Sequence, residues 1–332
     1  MSVIKAAITG VAGYVPDDIL SNADLEKMVD TNDEWIVSRT GIRERRILKD
    51  PKKAAAYMGA ECVRDLLAKT NTDPDDVDLL ICATVTPDMM FPNTASLILE
   101  QVGMRNSYGF DLNAACSGFL FGLTTAAQFI KSGKHKKVIL VGSDKMSAIT
   151  DFTDRNTCIL FGDGAGAVML EPSEEFGFED SIMFTNADGK EYLNLKGGGS
   201  LNPATEETLE DGWHYLFQDG RPVFKAAVKG MATVSKKLMD KAGVPLDQID
   251  WMVPHQANLR ILTAVADMLK FDQEKVMVVI DKYGNTTDAT IPLSLWDYEK
   301  KLKKGDKLLF TAFGGSYTWG AIYLTWAYDG IK

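Results

Sequence analysis

Short apolar runs alternate along this chain with longer stretches whose apolar residues recur at helical spacing. Leu79-Leu80-Ile81-Cys82-Ala83, Val138-Ile139-Leu140-Val141 and Trp251-Met252-Val253 carry almost no polar alternation, as strands buried on both faces do. Helices are predicted over 54–69, 117–132, 223–242, 258–269 and 292–302. In the third, Phe224, Val228, Met231 and Leu238 share one face and Gly243 supplies the stop. Strands alternating with helices imply an α/β fold whose sheets are covered on both sides.

The pattern also repeats. Asp78 before Leu79-Leu80-Ile81 matches Asp250 before Trp251-Met252-Val253, and the basic loop and strand from Gly133 match those from Gly305. Both pairs are 172 positions apart, and Cys116 and Asn285 are 169 apart. Two duplicated α/β halves follow, stacked in five layers, α-β-α-β-α, with the helices that carry Cys116 and Asn285 between the sheets. The halves are read as 1–173 and 222–332. The stretch 174–221, rich in Gly, Glu, Asp and Asn, is read as a linker and surface excursion.

Composition narrows the function classes. The 332 residues are 45% hydrophobic and 25% charged, with a formal net charge of −10. That balance argues against nucleic acid or an anionic membrane surface as a partner, although a local basic patch would still attract an acidic protein. No apolar run is long enough for a bilayer. The first residues read as a strand and loop rather than a signal peptide, so a reduced, cytoplasmic setting is expected. Cys62, Cys82, Cys116 and Cys158 form no CxxC spacing, which argues against a zinc site or a redox pair. Cys62 shares a helix face with Met58 and Leu66, Cys82 lies in a strand, and Cys158-Ile159-Leu160-Phe161 reads as another strand, so all three are expected in the core.

Cys116 is different. It stands at the start of the apolar helix 117–132, where free N–H groups and the helix dipole favour a thiolate nucleophile. His135, in a basic loop, reads as solvated, and His214 as a packing or surface residue. His255 ends the buried run Trp251-Met252-Val253-Pro254, the place where α/β sheets put their ligands. Asn285, in Tyr283-Gly284-Asn285-Thr286, is either a helix N-cap or an amide donor opposite Cys116. Phe313-Gly314-Gly315 brings a strand to a glycine turn, where a backbone N–H is able to complete an oxyanion hole. Gly162-Asp163-Gly164-Ala165-Gly166 precedes a strand, so it is no dinucleotide fingerprint. Cys, His and Asn together suit a cysteine protease or a decarboxylating condensing enzyme. The apolar helix, the duplication and the late glycine loop favour the second.

From Ile8 onward the chain resembles the ketoacyl-ACP synthase III family of condensing enzymes. The resemblance rests on Asp30-Thr31-Asn32-Asp33-Glu34-Trp35, Arg39-Thr40-Gly41-Ile42-Arg43, Ala114-Ala115-Cys116-Ser117-Gly118-Phe119, Pro254-His255-Gln256-Ala257-Asn258, Tyr283-Gly284-Asn285-Thr286 and Phe313-Gly314-Gly315. The Cys-His-Asn set separates it from elongating synthases, which have a second His, and from thiolases, which have a second Cys. The resemblance implies a thiolase fold and an acyltransferase that initiates fatty-acid synthesis. Cys116 would accept an acyl group from acyl-CoA and transfer it to malonyl-ACP. His255 and Asn285 would stabilise the enolate, with Cys116 and Gly315 as oxyanion hole and Phe313 and Phe91 as gates. Thr31, Trp35, Arg39, Arg155 and Asn258 would line the CoA site, with Trp35 and Arg155 sandwiching the adenine. Lys225 and Arg260 would meet the carrier protein, and Phe91 would reach into the partner subunit of a homodimer. No metal and no cofactor are implied, CoA thioester being a substrate. A specialised condensing enzyme on this scaffold, a silent acyl-CoA-binding protein and a cysteine hydrolase are the alternatives. Two residues depart from the family pattern: Asp288 stands where small neutral residues are usual, and Asn156 where glycine is common. Asp288 is expected to favour its own helix start and to raise the pKa of His255.

Overall fold

The unbroken apolar runs lie at the centres of two sheets in the computed structural model, which describes residues 4–330. Strands β1 (Lys5–Tyr14), β2 (Leu79–Ala83), β3 (Tyr108–Leu112), β4 (Val138–Lys145) and β5 (Asp163–Ser173) make the first. Its order is β1-β5-β4-β2-β3, with β2 parallel to both neighbours. Strands β6 (Gly177–Thr185), β7 (Trp251–Pro254), β8 (Lys307–Gly314) and β9 (Thr318–Thr325) make the second, in the order β7-β8-β9-β6.

The main helices are α1 (Asp33–Thr40), α2 (Ala55–Thr70), α3 (Thr94–Val102), α4 (Gly118–Lys131), α5 (Gly220–Ala242), α6 (Leu259–Leu269) and α7 (Thr290–Tyr298). α4 is apolar nearly all round because it has a sheet on each side. Its Phe119, Leu120, Leu123 and Ile130 share one core with Leu140 and Val168 of the first sheet and Phe310 and Ile322 of the second. Each such side chain contributes roughly 1.5–3 kcal/mol on burial. Ile291 and Leu295 of α7 join the same layer. On the outer faces, α2 covers Leu80 and Ile139 with Met58, Cys62 and Leu66, and α5 covers Leu309 and Tyr323 with Met231 and Leu238. The five layers are therefore α-β-α-β-α.

The duplication extends to hydrogen bonds. Asp78 N–H donates to Lys137 O and Asp250 N–H to Lys307 O, both at 2.9 Å. The Asp78 carboxylate accepts from Lys137 N–H at 2.9 Å and the Asp250 carboxylate from Lys307 N–H at 2.8 Å. An acidic lead-in thus sets the register of a parallel strand pair in each half.

All five predicted helices form, the last ending early at Tyr298 with a 3-10 turn over Glu299–Lys301. α1 and α3 were not predicted; both are short and start at asparagine caps, Asn32 and Asn93. Cys158 to Leu160 turn rather than extend, and only Phe161 makes a bridge, to Asn285. Asp154 causes this: its backbone carbonyl and carboxylate take the N–H groups of Cys158 and Asn156, a local competition that strands lose. Within 174–221, Gly177–Thr185 is the edge strand β6, paired with β9. Its Glu179 and Asp180, at home on an exposed edge, made it read as a loop.

Candidate active site

Cys116 sits on a tight turn two residues before α4. Ala115 adopts a left-handed φ of 49°, and Gly118 N–H closes the turn on Ala115 O at 2.7 Å. The second half clamps it: Thr318 Oγ1 donates to Ala114 O at 2.6 Å, and Ser117 Oγ to Thr318 O at 2.9 Å. The sulfur lies at the N–H groups of Cys116 and Gly315, which favour a thiolate. They do not prevail in the free protein. Burial pushes the thiol above its ordinary value, and negative charge on the pair of Asp288 and Asp144 pushes it further. The lowered thiol pKa expected at this helix start is therefore not found, because the site is desolvated and has acids beneath it.

His255 follows β7, its N–H held by Thr311 O at 2.9 Å. Its Nδ1 lies 2.7 Å from Thr290 Oγ1, and its buried Nε2 has no partner. Thr290 Oγ1 also lies 2.9 Å from Thr287 O. The hydroxyl hydrogen serves one of these acceptors at a time. When it points at Nδ1, the ring proton sits on Nε2 and faces the cavity as a donor. Burial pushes the His255 pKa down to about 3. The rise expected from Asp288 is not found, because burial alone sets the shift.

Asn285 is anchored on both sides, its N–H on Leu160 O at 2.8 Å and its carbonyl under Gly162 N–H at 3.1 Å. Its Oδ1 accepts from Thr287 N–H at 2.9 Å, which leaves the amide NH2 free to donate. It caps no helix, since α7 starts five residues later.

Cys116, His255, Asn285, Phe313 and Gly315 all line one cavity of about 370 Å³. Leu193, Leu195 and Leu216, from the stretch between the halves, form another wall. Leu160, Gln218, Val223, Asn258 and Ile261 connect it to an outer groove of about 870 Å³, lined also by Trp35, Arg39, Asn156, Arg221 and Arg260. The Cys116 thiol, the His255 ring, the Asn285 amide and the N–H groups of Cys116 and Gly315 thus converge at the end of a passage from the surface.

The outer residues are placed differently from one another. Arg39 and Arg155 both lie over the Trp35 ring, at 4.9 and 5.1 Å from its centroid. Arg155 also binds Asp30 O at 2.9 Å. A base between Trp35 and Arg155 needs two stacking gaps of about 3.5 Å each, so the pair must part to form a sandwich. Asn258 caps α6 through Arg260 N–H, and Asn156 folds back on Asp154 at 3.0 Å. Thr31 has a buried hydroxyl oxygen without a partner. Lys225 and Arg260 are exposed on α5 and α6. Phe91 is 85% exposed and lines neither space. His135 is half-buried against Phe129 rather than solvated, and His214 packs on Tyr215. Sequence reasoning missed Thr290, Thr318 and Arg221; the hydroxyl five residues past Asn285 was the only sign of the first.

The family described as 3-oxoacyl-[acyl-carrier-protein (ACP)] synthase III matches residues 110–189, and its C-terminal counterpart matches residues 239–326. Beta-ketoacyl-[acyl-carrier-protein] synthase III 2 of Bacteroides thetaiotaomicron is 52% identical over 333 residues, covering 100% of this chain and 99% of that one. The crystal structure of 3-oxoacyl-[acyl-carrier-protein] synthase III from Aquifex aeolicus VF5 superposes with a TM-score of 0.90 at 42% identity, over 97% of this chain and 100% of that one. The priming beta-ketosynthase of the R1128 polyketide pathway also gives 0.90, at 31% identity over 98% and 97%. With two duplicated halves, a cysteine turn between the sheets and likeness along its whole length, the chain belongs to the 3-oxoacyl-[acyl-carrier-protein] synthase III family of thiolase-fold condensing enzymes.

Proposed function

We propose that the protein condenses an acyl-CoA primer, acetyl or short or branched, with malonyl-ACP to give a β-ketoacyl-ACP and so initiates fatty-acid synthesis. The observation that carries this reading is the convergence of Cys116, His255 and Asn285 on one cavity that opens through a groove rimmed by Trp35, Arg39 and Arg260. In the first half-reaction the sulfur of Cys116 attacks the acyl-CoA carbonyl and CoA leaves with the thiol proton. The N–H groups of Cys116 and Gly315 hold the tetrahedral oxyanion, each donor worth roughly 3–4 kcal/mol. That stabilisation, together with substrate desolvation, offsets the raised resting pKa of the thiol.

Malonyl-ACP then loses carbon dioxide. Nε2–H of His255 and the Asn285 amide donate to its thioester oxygen as the enolate forms. Both are neutral, so they stabilise the developing charge without needing an ionised partner in a buried site. The enolate carbon attacks the acyl-Cys116 carbonyl, and collapse expels the Cys116 thiolate, which regains a proton from water. Phe313 shields the thiol. The exposed Lys225 and Arg260 give an enzyme of net charge −10 a basic rim for an acidic carrier protein. Phe91 reaches into the acyl pocket of a second copy, so the working form is a homodimer, in the cytoplasm. No cofactor takes part. The likeness to a priming ketosynthase and the departures at Asp288 and Asn156 favour one second reading, a primer supplied to a specialised pathway.

A panel of acyl-CoA primers with malonyl-ACP, read by mass, tests both. The expected result is an acyl adduct on Cys116 and a β-ketoacyl-ACP from short primers. An adduct with free acid as the sole product would mean a hydrolase, and no adduct at all would leave only an acyl-CoA-binding protein.

A further inference from the structure

Beneath the Cys116 turn lie two carboxyl groups to which the condensation chemistry assigns no task. Asp144, on β4, and Asp288, three residues past Asn285, are 0% and 1% exposed and in hydrogen-bonding contact with each other. Their surroundings are unequal. Asp144 Oδ1 accepts from Thr84 Oγ1 at 2.9 Å, Val85 N–H at 2.8 Å, Thr86 N–H at 3.1 Å and Thr86 Oγ1 at 2.8 Å. Its Oδ2 accepts from the N–H of Asp288 at 3.1 Å. Asp288 Oδ1 accepts from Phe119 N–H at 3.1 Å, while its buried Oδ2 has no donor in reach.

The other titratable groups around them bring no compensating cation. Cys82 from β2 and Cys116 from the turn are thiols whose pKa any charge on Asp288 would raise further. Asp163, at the start of β5, is turned toward Leu48 and Ser147. His255 is neutral and tied to Thr290 of α7, and Asp297 at the far end of α7 pairs with Lys282. Two carboxylates in contact without a cation do not both ionise. Five donors hold Asp144 in its charged form, so the shared proton resides on Asp288. There it makes the Asp288 carboxyl a donor to Asp144.

The position of this acid matters for α4. The side chain of Ser117, the residue preceding the helix, makes no cap; its hydroxyl is spent on Thr318 O. Asp288 supplies the acceptor instead. It fits because residue 118 is glycine: a Cβ there would lie 2.5 Å from Asp288 Oδ1. A charged cap would serve the helix equally well but would oppose ionisation of the adjacent thiol.

We propose that Asp288 is a positioning residue for the nucleophile: as a neutral acid it bridges the first N–H groups of α4 to the Asp144 carboxylate, fixing the Cys116 turn without a second anion beside the thiol. The inference rests on Cys116 being the acylated residue, and its test reads the thiol directly. The rate of Cys116 alkylation by iodoacetamide is followed by peptide mass from about pH 6 to about pH 10. In Asp288→Asn the amide oxygen accepts from Phe119 and the NH2 donates to Asp144, so charge and bridge persist. This variant is expected to alkylate within about twofold of wild type with an unmoved pH midpoint. Asp288→Ala is expected to slow acyl transfer from acyl-CoA to Cys116 about tenfold at unchanged KM, a loss that the asparagine restores. A midpoint lowered by about one unit or more in Asp288→Asn would reveal an anion there and overturn the proposal. So would wild-type acyl transfer by Asp288→Ala. If the alanine variant does not fold, the asparagine pH profile decides alone. Were wild type to take no acyl group yet still alkylate, the functional reading would fail while the thiol measurement stood.

Discussion

In the proposed mechanism His255 donates from Nε2, which requires a hydrogen-bond donor at Nδ1 to keep the ring proton there. Thr290 supplies it when its hydroxyl turns to Nδ1, 2.7 Å away, rather than to Thr287 O at 2.9 Å. In Thr290→Val the hydroxyl is lost with little change of shape, and His255 is free to take the tautomer that turns a lone pair to the cavity. A lost buried hydrogen bond is worth about 1–3 kcal/mol. Decarboxylation of malonyl-ACP should fall about 10–100-fold, while acylation of Cys116 by acyl-CoA, which needs no donor from His255, is retained. Thr290→Ser should restore the lost step. Run against pH, the wild-type assay should show no acid limb at the ordinary histidine value. Burial places the His255 pKa at about 3, and above that the ring is neutral. Equal loss of both half-reactions in Thr290→Val would refute the tautomer role. Cys116, His255 and Asn285 could be singled out in sequence because they precede an apolar helix, end an apolar run and follow a glycine, and the fold brings all three to one cavity. Thr290 was not, because its importance lies in a contact across 35 residues of chain.

The nucleophile's turn belongs to the first half, yet the second half shapes it. The end of β8 passes so close that a Cβ on Gly314 would stand 2.6 Å from Cys116 N and 3.0 Å from Ser117 N. Those are backbone atoms, which have no rotamer by which to yield. Gly314→Ala should therefore displace Cys116 from the N–H of Gly315. A shift of about 1 Å costs about 100-fold in rate, and the loss should appear in acylation and condensation alike. Adduct formation on Cys116, measured by mass, checks this; a rate within a few-fold of wild type would mean that the turn adapts. At this scale the sequence revealed the strands and helices with the strongest periodicity, and the duplication located Asn285 opposite Cys116. It hid β6, whose charged edge positions resemble a linker, and the turn at Cys158, where the Asp154 carboxylate and carbonyl outcompete extended structure. It also misjudged the thiol, since the burial that raises its pKa is made by tertiary packing that the local sequence does not show.

Across the whole molecule, large apolar side chains are mostly buried in the five layers, and those left exposed are scattered singly except at one run of three. Met90 and Phe91 are 80% and 85% exposed, next to a half-exposed Met89. They sit on the segment leading to α3 and line neither the cavity at Cys116 nor the outer groove. Three large apolar side chains in a row on a surface of net negative charge mark a place where another protein surface belongs. In the proposed homodimer that surface is the second copy, and the exposed ring enters its acyl pocket. Phe91→Asp puts a charge where the interface needs an apolar anchor. Truncating such an anchor costs about 2 kcal/mol or more, so the dimer dissociation constant should rise about 30-fold or more. Sedimentation velocity across a dilution series would show it. The monomer should remain folded, since Phe91 takes no part in the hydrophobic core, and should retain Cys116 alkylation. Phe91→Ala, which removes the anchor without adding a charge, should weaken the dimer less than Phe91→Asp and accept longer primers than wild type. A wild-type protein that sediments as a monomer, or a Phe91→Asp variant that dimerises unchanged, would remove Phe91 from the interface and leave its exposure unexplained.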